Sequence, residues 1–151
     1  MNLKRGFTLL ELMVVLLIVV IAIGMAAPSY RQFVQHERHA KAVNSLQSLY
    51  KYARSEAVKR ETTISIGLSN RQLQVLLPSE QNRVLRSYAL PAESTGIQLS
   101  GFSTVTVLPR GTVSAQSNWN VVDSQGEASA RCVQILLSGQ LLIEKGSCAN
   151  S

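Results

Sequence analysis

The sequence is poor in the groups from which active sites are assembled. It holds two histidines and two cysteines in 151 residues. His36 and His39 have neither a cysteine nor an acidic cluster beside them at metal-ligand spacing. No motif suggests a Ser-His-Asp arrangement, and there is no glycine-rich phosphate loop. These absences exclude motif-borne hydrolase, metal and nucleotide chemistry. The expectation is a protein that is not an enzyme, with no cofactor and no metal, and with both histidines solvated. There is no internal repeat and no low-complexity tail. Acids are scarce as well: 9 Asp and Glu stand against 15 Lys and Arg, a formal charge of +6. That excess permits attraction to nucleic acid or anionic lipid without requiring it.

What the chain does have is an apolar block at one end. Residues 7–27 contain a single ionisable group, Glu11. As a helix this stretch spans about 31 Å, enough to cross a bilayer core. Lys4 and Arg5 precede it, which keeps the N-terminus cytoplasmic and sends the chain after residue 28 outward. An oxidising destination suits Cys132 and Cys148, whose pairing would close a loop of about 17 residues, worth roughly 3 kcal/mol. Three readings of the block compete: a secretory signal cut near Gly24-Met25-Ala26, a plain anchor, or the precursor of an assembling subunit. Glu11 separates them. A carboxylate in an apolar helix costs about 2.5–3.5 kcal/mol at the bilayer centre and less near the interface. A signal or anchor gains nothing from it, whereas a subunit packed beside others recovers the cost if a neighbour supplies a positive group.

The run Lys4-Arg5-Gly6-Phe7-Thr8-Leu9-Leu10-Glu11-Leu12 resembles the processing motif of type IV prepilins and type II secretion pseudopilins. The resemblance implies a prepilin peptidase that cuts after Gly6, so that residues 1–6 are a leader, and that N-methylates Phe7. It implies that Glu11 neutralises the α-amine of an adjacent subunit, a charge pair strengthened by low dielectric. The partners it implies are that peptidase, inner-membrane lipid, and other major and minor pilins or pseudopilins met through the N-terminal helix.

Beyond residue 27, Pro28 and Gly24 mark an expected kink. The helix is expected to continue, because apolar residues recur at steps of three and four from Phe33 to Val58. A lipid-embedded half (7–27) then passes into an amphipathic half (28–60). Residues 61–151 read as a β-rich periplasmic domain, giving an α+β fold of a long helix packed on antiparallel sheet. Thr62–Leu68 and Gln72–Leu77 form a hairpin turning at Ser69-Asn70. Further strands are expected at Val84–Leu90, Gly96–Leu99, Thr104–Leu108, Cys132–Leu137 and Gln140–Lys145. A two-residue Ser138-Gly139 turn would put Cys132 opposite Lys145, with Cys148 within reach of the hairpin's open end. Residues 111–130, rich in Gly, Ser, Asn and Gln, read as a surface loop or irregular strand.

Three segments resemble the GspH/FimT group of this family: Tyr52 to Arg60, Phe102 to Gly111, and the Gly139 hairpin with its C-terminal cysteine. The group implies a structural subunit that starts or tips a filament. Its members include minor pilins of the FimU and FimT kind and the type II secretion pseudopilin H. FimT-type pilins are also linked to DNA uptake in natural transformation, through a Gly-Arg-x-Arg motif. The corresponding place here reads Gly139-Gln140-Leu141-Leu142. Both phosphate-binding arginines are missing, which disfavours DNA as a partner. Arg71, Arg83, Arg86, Arg110 and Arg131 remain as candidate weak DNA contacts, should they share a face.

Overall fold

The computed structural model describes residues 8–126 and 128–148. Its contacts divide the chain into two compact units, Met1–Val34 and Gln35–Ser151. One helix, α1 (Leu9–Lys59), contributes residues to both.

In the first unit α1 is long and apolar enough to cross a membrane, and its large apolar side chains from Leu9 to Met25 lie exposed. Pro28 stands inside α1 and does not end it. Proline lacks the N–H that would bond to the carbonyl four residues back, which belongs to Gly24. A Cβ at Gly24 would meet nothing within 4 Å, so glycine is not there to make space. Its contribution is backbone freedom one turn below the proline.

The second unit is α+β. Among the described residues eight strands follow the helix: β1 (Ile64–Ser69), β2 (Gln72–Leu77), β3 (Arg83–Ala89), β4 (Ile97–Ser100), β5 (Val105–Val107), β6 (Ser117–Asp123), β7 (Arg131–Ile135) and β8 (Leu141–Lys145). They form two four-stranded sheets, ordered β3-β2-β1-β5 and β4-β6-β7-β8, with neighbouring strands antiparallel. The buried face of α1 presents Ala42, Val43, Leu46, Leu49, Tyr50, Ala53 and Ala57 to a core shared with Ile64, Ile66, Leu73, Val75, Trp119, Val133 and Ile135. Ala53 and Ala57 are fully buried, and such small side chains let sheet residues come close to the helix axis.

Four expectations need correction. Residues 111–130 are not a surface loop throughout: they contain β6, a central strand paired with β4 on one side and β7 on the other. Its alternation buries Ser117, Trp119 and Val121, and the polar Asn118 and Asn120 between them disguise the apolar period. The first hairpin turns one residue later than expected. Ser69 pairs with Gln72, and Asn70 and Arg71 both take positive φ, 48° and 59°. That is the pattern of a two-residue primed turn, whose twist matches the strands. The last hairpin is also out of register by one. Cys132 stands opposite Glu144, and Arg131 opposite Lys145. Here Leu137-Ser138-Gly139 form a three-residue turn closed by Leu136 N–H to Gln140 O, 2.9 Å, with Gly139 at φ 78°. Finally, His39 is not solvated. It is 4% exposed, and its Nε2 meets the Val121 carbonyl at 3.0 Å.

Candidate functional site

The N-terminal half of α1 is built from residues whose exposure has no place in water. Leu9, Leu12, Leu16, Leu17, Ile18 and Val20 are all exposed. A continuous apolar surface of this kind requires lipid or another helix. Thr8 starts the helix. The Glu11 N–H donates to Thr8 Oγ1 at 3.2 Å, one half of a Thr-x-x-Glu capping box. An N-cap of this type is worth about 1 kcal/mol. Glu11 also places an acid in the first turn, where the helix dipole favours negative charge. Glu11 therefore sits in the first turn with its backbone N–H capped. Gly6 and Phe7 lie outside the described residues.

In the second unit the three signature segments meet at one point. Two turns share a construction there. In Leu108-Pro109-Arg110-Gly111-Thr112, Gly111 N–H donates to Leu108 O and Leu108 N–H to Thr112 O, both at 2.8 Å. In Leu136-Leu137-Ser138-Gly139-Gln140, Gly139 N–H donates to Leu136 O at 2.8 Å, beside the Leu136 to Gln140 bond. Each glycine occupies the left-handed region, Gly111 at φ 79° and Gly139 at 78°. The turns face each other: a Cβ on Gly139 would collide with the Gly111 carbonyl, and Val113 N–H donates to Leu137 O at 3.2 Å. The helix closes the node. Tyr50 O–H donates to Gly139 O at 2.9 Å, and a Cβ on Gly111 would press on Arg54 Nε at 3.1 Å and Val58 at 3.3 Å. Burial pushes the Tyr50 hydroxyl above its ordinary value, and the Arg54 charge opposes this more weakly. The phenol thus remains a donor at neutral pH. Nothing in this node is arranged for bond-breaking; it locks α1 to both sheets' turns.

Two polar side chains do similar work nearer the start of the second unit. Gln35 Nε2 donates to Thr95 O at 2.6 Å and Asp123 Oδ1 at 2.9 Å, and His39 reaches Val121 O. Sequence reading missed Gln35 and the bond made by Tyr50, and took His39 as solvated. The polar Gln35 and His39 continue the helical period of the apolar face, and that spacing was the available signal.

Cys132 and Cys148 form a disulfide, with Cα atoms 4.9 Å apart. Cys148 N–H also donates to Asn120 Oδ1 at 2.6 Å, so Cys148 is tied to β6. The five arginines are spread over both sheets. Arg71, in the first turn, donates to Glu93 at 2.8 Å and Pro91 O at 2.7 Å. Arg83, on β3, donates to Glu80 at 2.9 Å, and Arg86 lies 5.2 Å from the Tyr52 ring centroid. Arg110 is exposed in the Gly111 turn, and Arg131 belongs to the other sheet. Gln140 and Leu142 are exposed where a Gly-Arg-x-Arg pattern would carry its charges. No group of three or more His, Cys, Asp or Glu that could hold a metal occurs among the described residues.

Residues 42–139 match the family described as Type II transport protein GspH, and residues 1–27 match the prokaryotic N-terminal methylation motif. No curated protein matches the chain. Two crystal structures of the Pseudomonas aeruginosa type IV minor pilin FimU have the same fold. One is 21% identical and overlays with a TM-score of 0.62 over 74% of this chain and 92% of its own. The other is 20% identical, with a TM-score of 0.58 over 70% and 91%. The minor pseudopilin EpsH of the Vibrio cholerae Type 2 Secretion System is 19% identical, with a TM-score of 0.52 over 69% and 96%.

Proposed function

We propose, on the premise that this chain belongs to the GspH family of pilin-like structural proteins, that it is a minor subunit which helps to start and tip a type IV pilus. The observation that carries this reading is the exposed apolar half of α1 with one acid capped into its first turn. Such a surface is complete only in a membrane or against other helices. Cleavage after Gly6 by a prepilin peptidase, with N-methylation of Phe7, would release the subunit from its leader. The protein would then stand in the bacterial inner membrane with its second unit periplasmic, until Glu11 meets the α-amine of an adjacent subunit and both enter the filament. Residues 7–27 would form the lipid-crossing part, with Gly24 and Pro28 allowing a bend. The remaining partners are other major and minor pilins.

A type II secretion pseudopilus is the second reading, favoured by the family's own description. The C-terminal disulfide and the fuller overlay on FimU support the pilus first. Deleting the gene and scoring surface pili and secreted enzymes in parallel separates the two. The pilus reading expects loss of pili with secretion intact; loss of secretion with normal piliation would overturn it. DNA is disfavoured as a partner, since three of the five arginines are engaged within the chain. A mobility shift with residues 29–151 is expected to give no salt-sensitive retardation at tens of micromolar protein.

A further inference from the structure

The inward face of the second sheet ends in positive charge. Arg131 pairs with Lys145, Val133 with Ile143, and Ile135 with Leu141. Val133 and Ile135 lie in the core, and Ile143 and Leu141 pack against it. Residues directly opposite share a face, and residues two apart along a strand share it too. Arg131 and Lys145 therefore continue the two apolar stripes that face α1, side by side. Like charges directly opposite destabilise a sheet. The three-residue turn creates this pair, because a register one residue away would put Lys145 beside Cys132 on the other face.

Above the pair is a cavity of about 380 Å³. Its polar lining comes from His36, His39 and Asn44 of α1 and from Ser129, Arg131 and Lys145. Among the described residues that line it, none is acidic. Asp123, which continues the inward face of β6, has its carboxylate oxygens accepting from Gln35 Nε2, from Gln125 N–H at 3.0 Å and from Ala128 N–H at 2.9 Å. His39 is fixed by its bond to Val121 O. A lysine on β8 has an ordinary explanation, since β8 is an edge strand and charge deters edge pairing. Arg131 lies on β7, between β6 and β8, where protection of an edge does not apply.

We propose that this cavity is an oxyanion site that takes a phosphate group, free or carried on a lipid headgroup. Arg131 supplies a planar fork suited to two phosphate oxygens, and Lys145 supplies a compact point charge. Asn44, Ser129 and His36 add donors around them. The volume lies within the range of small-molecule sites and leaves room for a substituent on the phosphate. The disulfide secures the site, since Cys132 follows Arg131 and Cys148 lies just beyond Lys145. The inference goes beyond the assembly role and stands independently of it.

The test uses the full chain in a neutral maltoside detergent, titrated calorimetrically with inorganic phosphate at constant ionic strength set by chloride. Saturable binding is expected, weakened about tenfold or more in Arg131→Gln and in Lys145→Gln, as for loss of a charged hydrogen bond. In chloride alone neither variant should melt lower than the parent, because each removes a like-charge contact. Phosphate should raise the melting temperature of the parent more than that of either variant. Repeating the titration in the same detergent with soluble glycerophosphoglycerol present, at the same ionic strength, identifies the source. Weaker phosphate binding points to a lipid headgroup, and unchanged binding points to free phosphate. No binding beyond that in chloride, or equal binding by both variants and the parent, would overturn the proposal.

Discussion

Gly139 and Gly126 have nearly the same backbone, φ 78° and 74°, and very different surroundings. A Cβ at Gly126 would meet nothing within 4 Å, whereas one at Gly139 would run into the Gly111 carbonyl. Alanine at Gly126 should cost about 1 kcal/mol, the left-handed penalty alone. Alanine at Gly139 should cost about 2–4 kcal/mol, because a backbone must also move. Urea melts of residues 29–151 carrying each substitution check the difference. Tyr50→Phe removes the donor to Gly139 O and should cost about 1 kcal/mol. Because Tyr50 is raised above 10.0, the native state holds its proton more tightly than the unfolded chain. Its contribution is complete below pH 10 and is lost as pH rises through the folded value. The parent should therefore lose more stability than Tyr50→Phe above about pH 10, a comparison that melts on both proteins will read. The sequence marked Gly139 as a turn residue and Gly111 as the end of a signature segment. It could not reveal that the two turns touch, because that contact depends on the separate sheets to which their strands belong.

At the scale of elements, the long helix was legible from a sustained 3.6-residue period, and most strands from alternation. β6 was hidden because its outward residues are asparagines and its neighbourhood is rich in turn formers. Pairing on both sides outweighs that local preference, and Trp119, packed 5.1 Å from the Phe102 ring, gives the strand its core anchor. The last hairpin shows a different limit. Both two- and three-residue turns suit Ser138-Gly139, and the choice decides which side chains face inward. The disulfide spans a sequence separation of 16. Replacing both cysteines by serine should lower the stability of the second unit by about 3 kcal/mol. Equal urea midpoints for parent and variant under oxidising conditions would contradict that role for the bridge.

For the whole molecule, the division into two units matches a division of labour. The core that holds residues 35–151 together begins at Ala42, so the first unit adds little to that fold. Its exposed apolar residues serve something outside the chain. Glu11 is the one acid among them between residues 7 and 27, and Thr8 caps its backbone while the carboxylate makes no ion pair among the described residues. The chemistry of that first turn was legible in the sequence as a basic pair, a glycine and a lone acid. The capping bond was legible only as a spacing, Thr-x-x-Glu. The most direct test is to express Glu11→Ala in a strain lacking the native gene, and to measure both the N-terminal mass of the protein and its amount in sheared filaments. Cleavage after Gly6 with a methylated Phe7 should be retained, while incorporation falls about tenfold or more, as expected for loss of a charge pair in low dielectric. Normal incorporation of a correctly processed Glu11→Ala subunit would contradict the claim that this acid joins one subunit to the next.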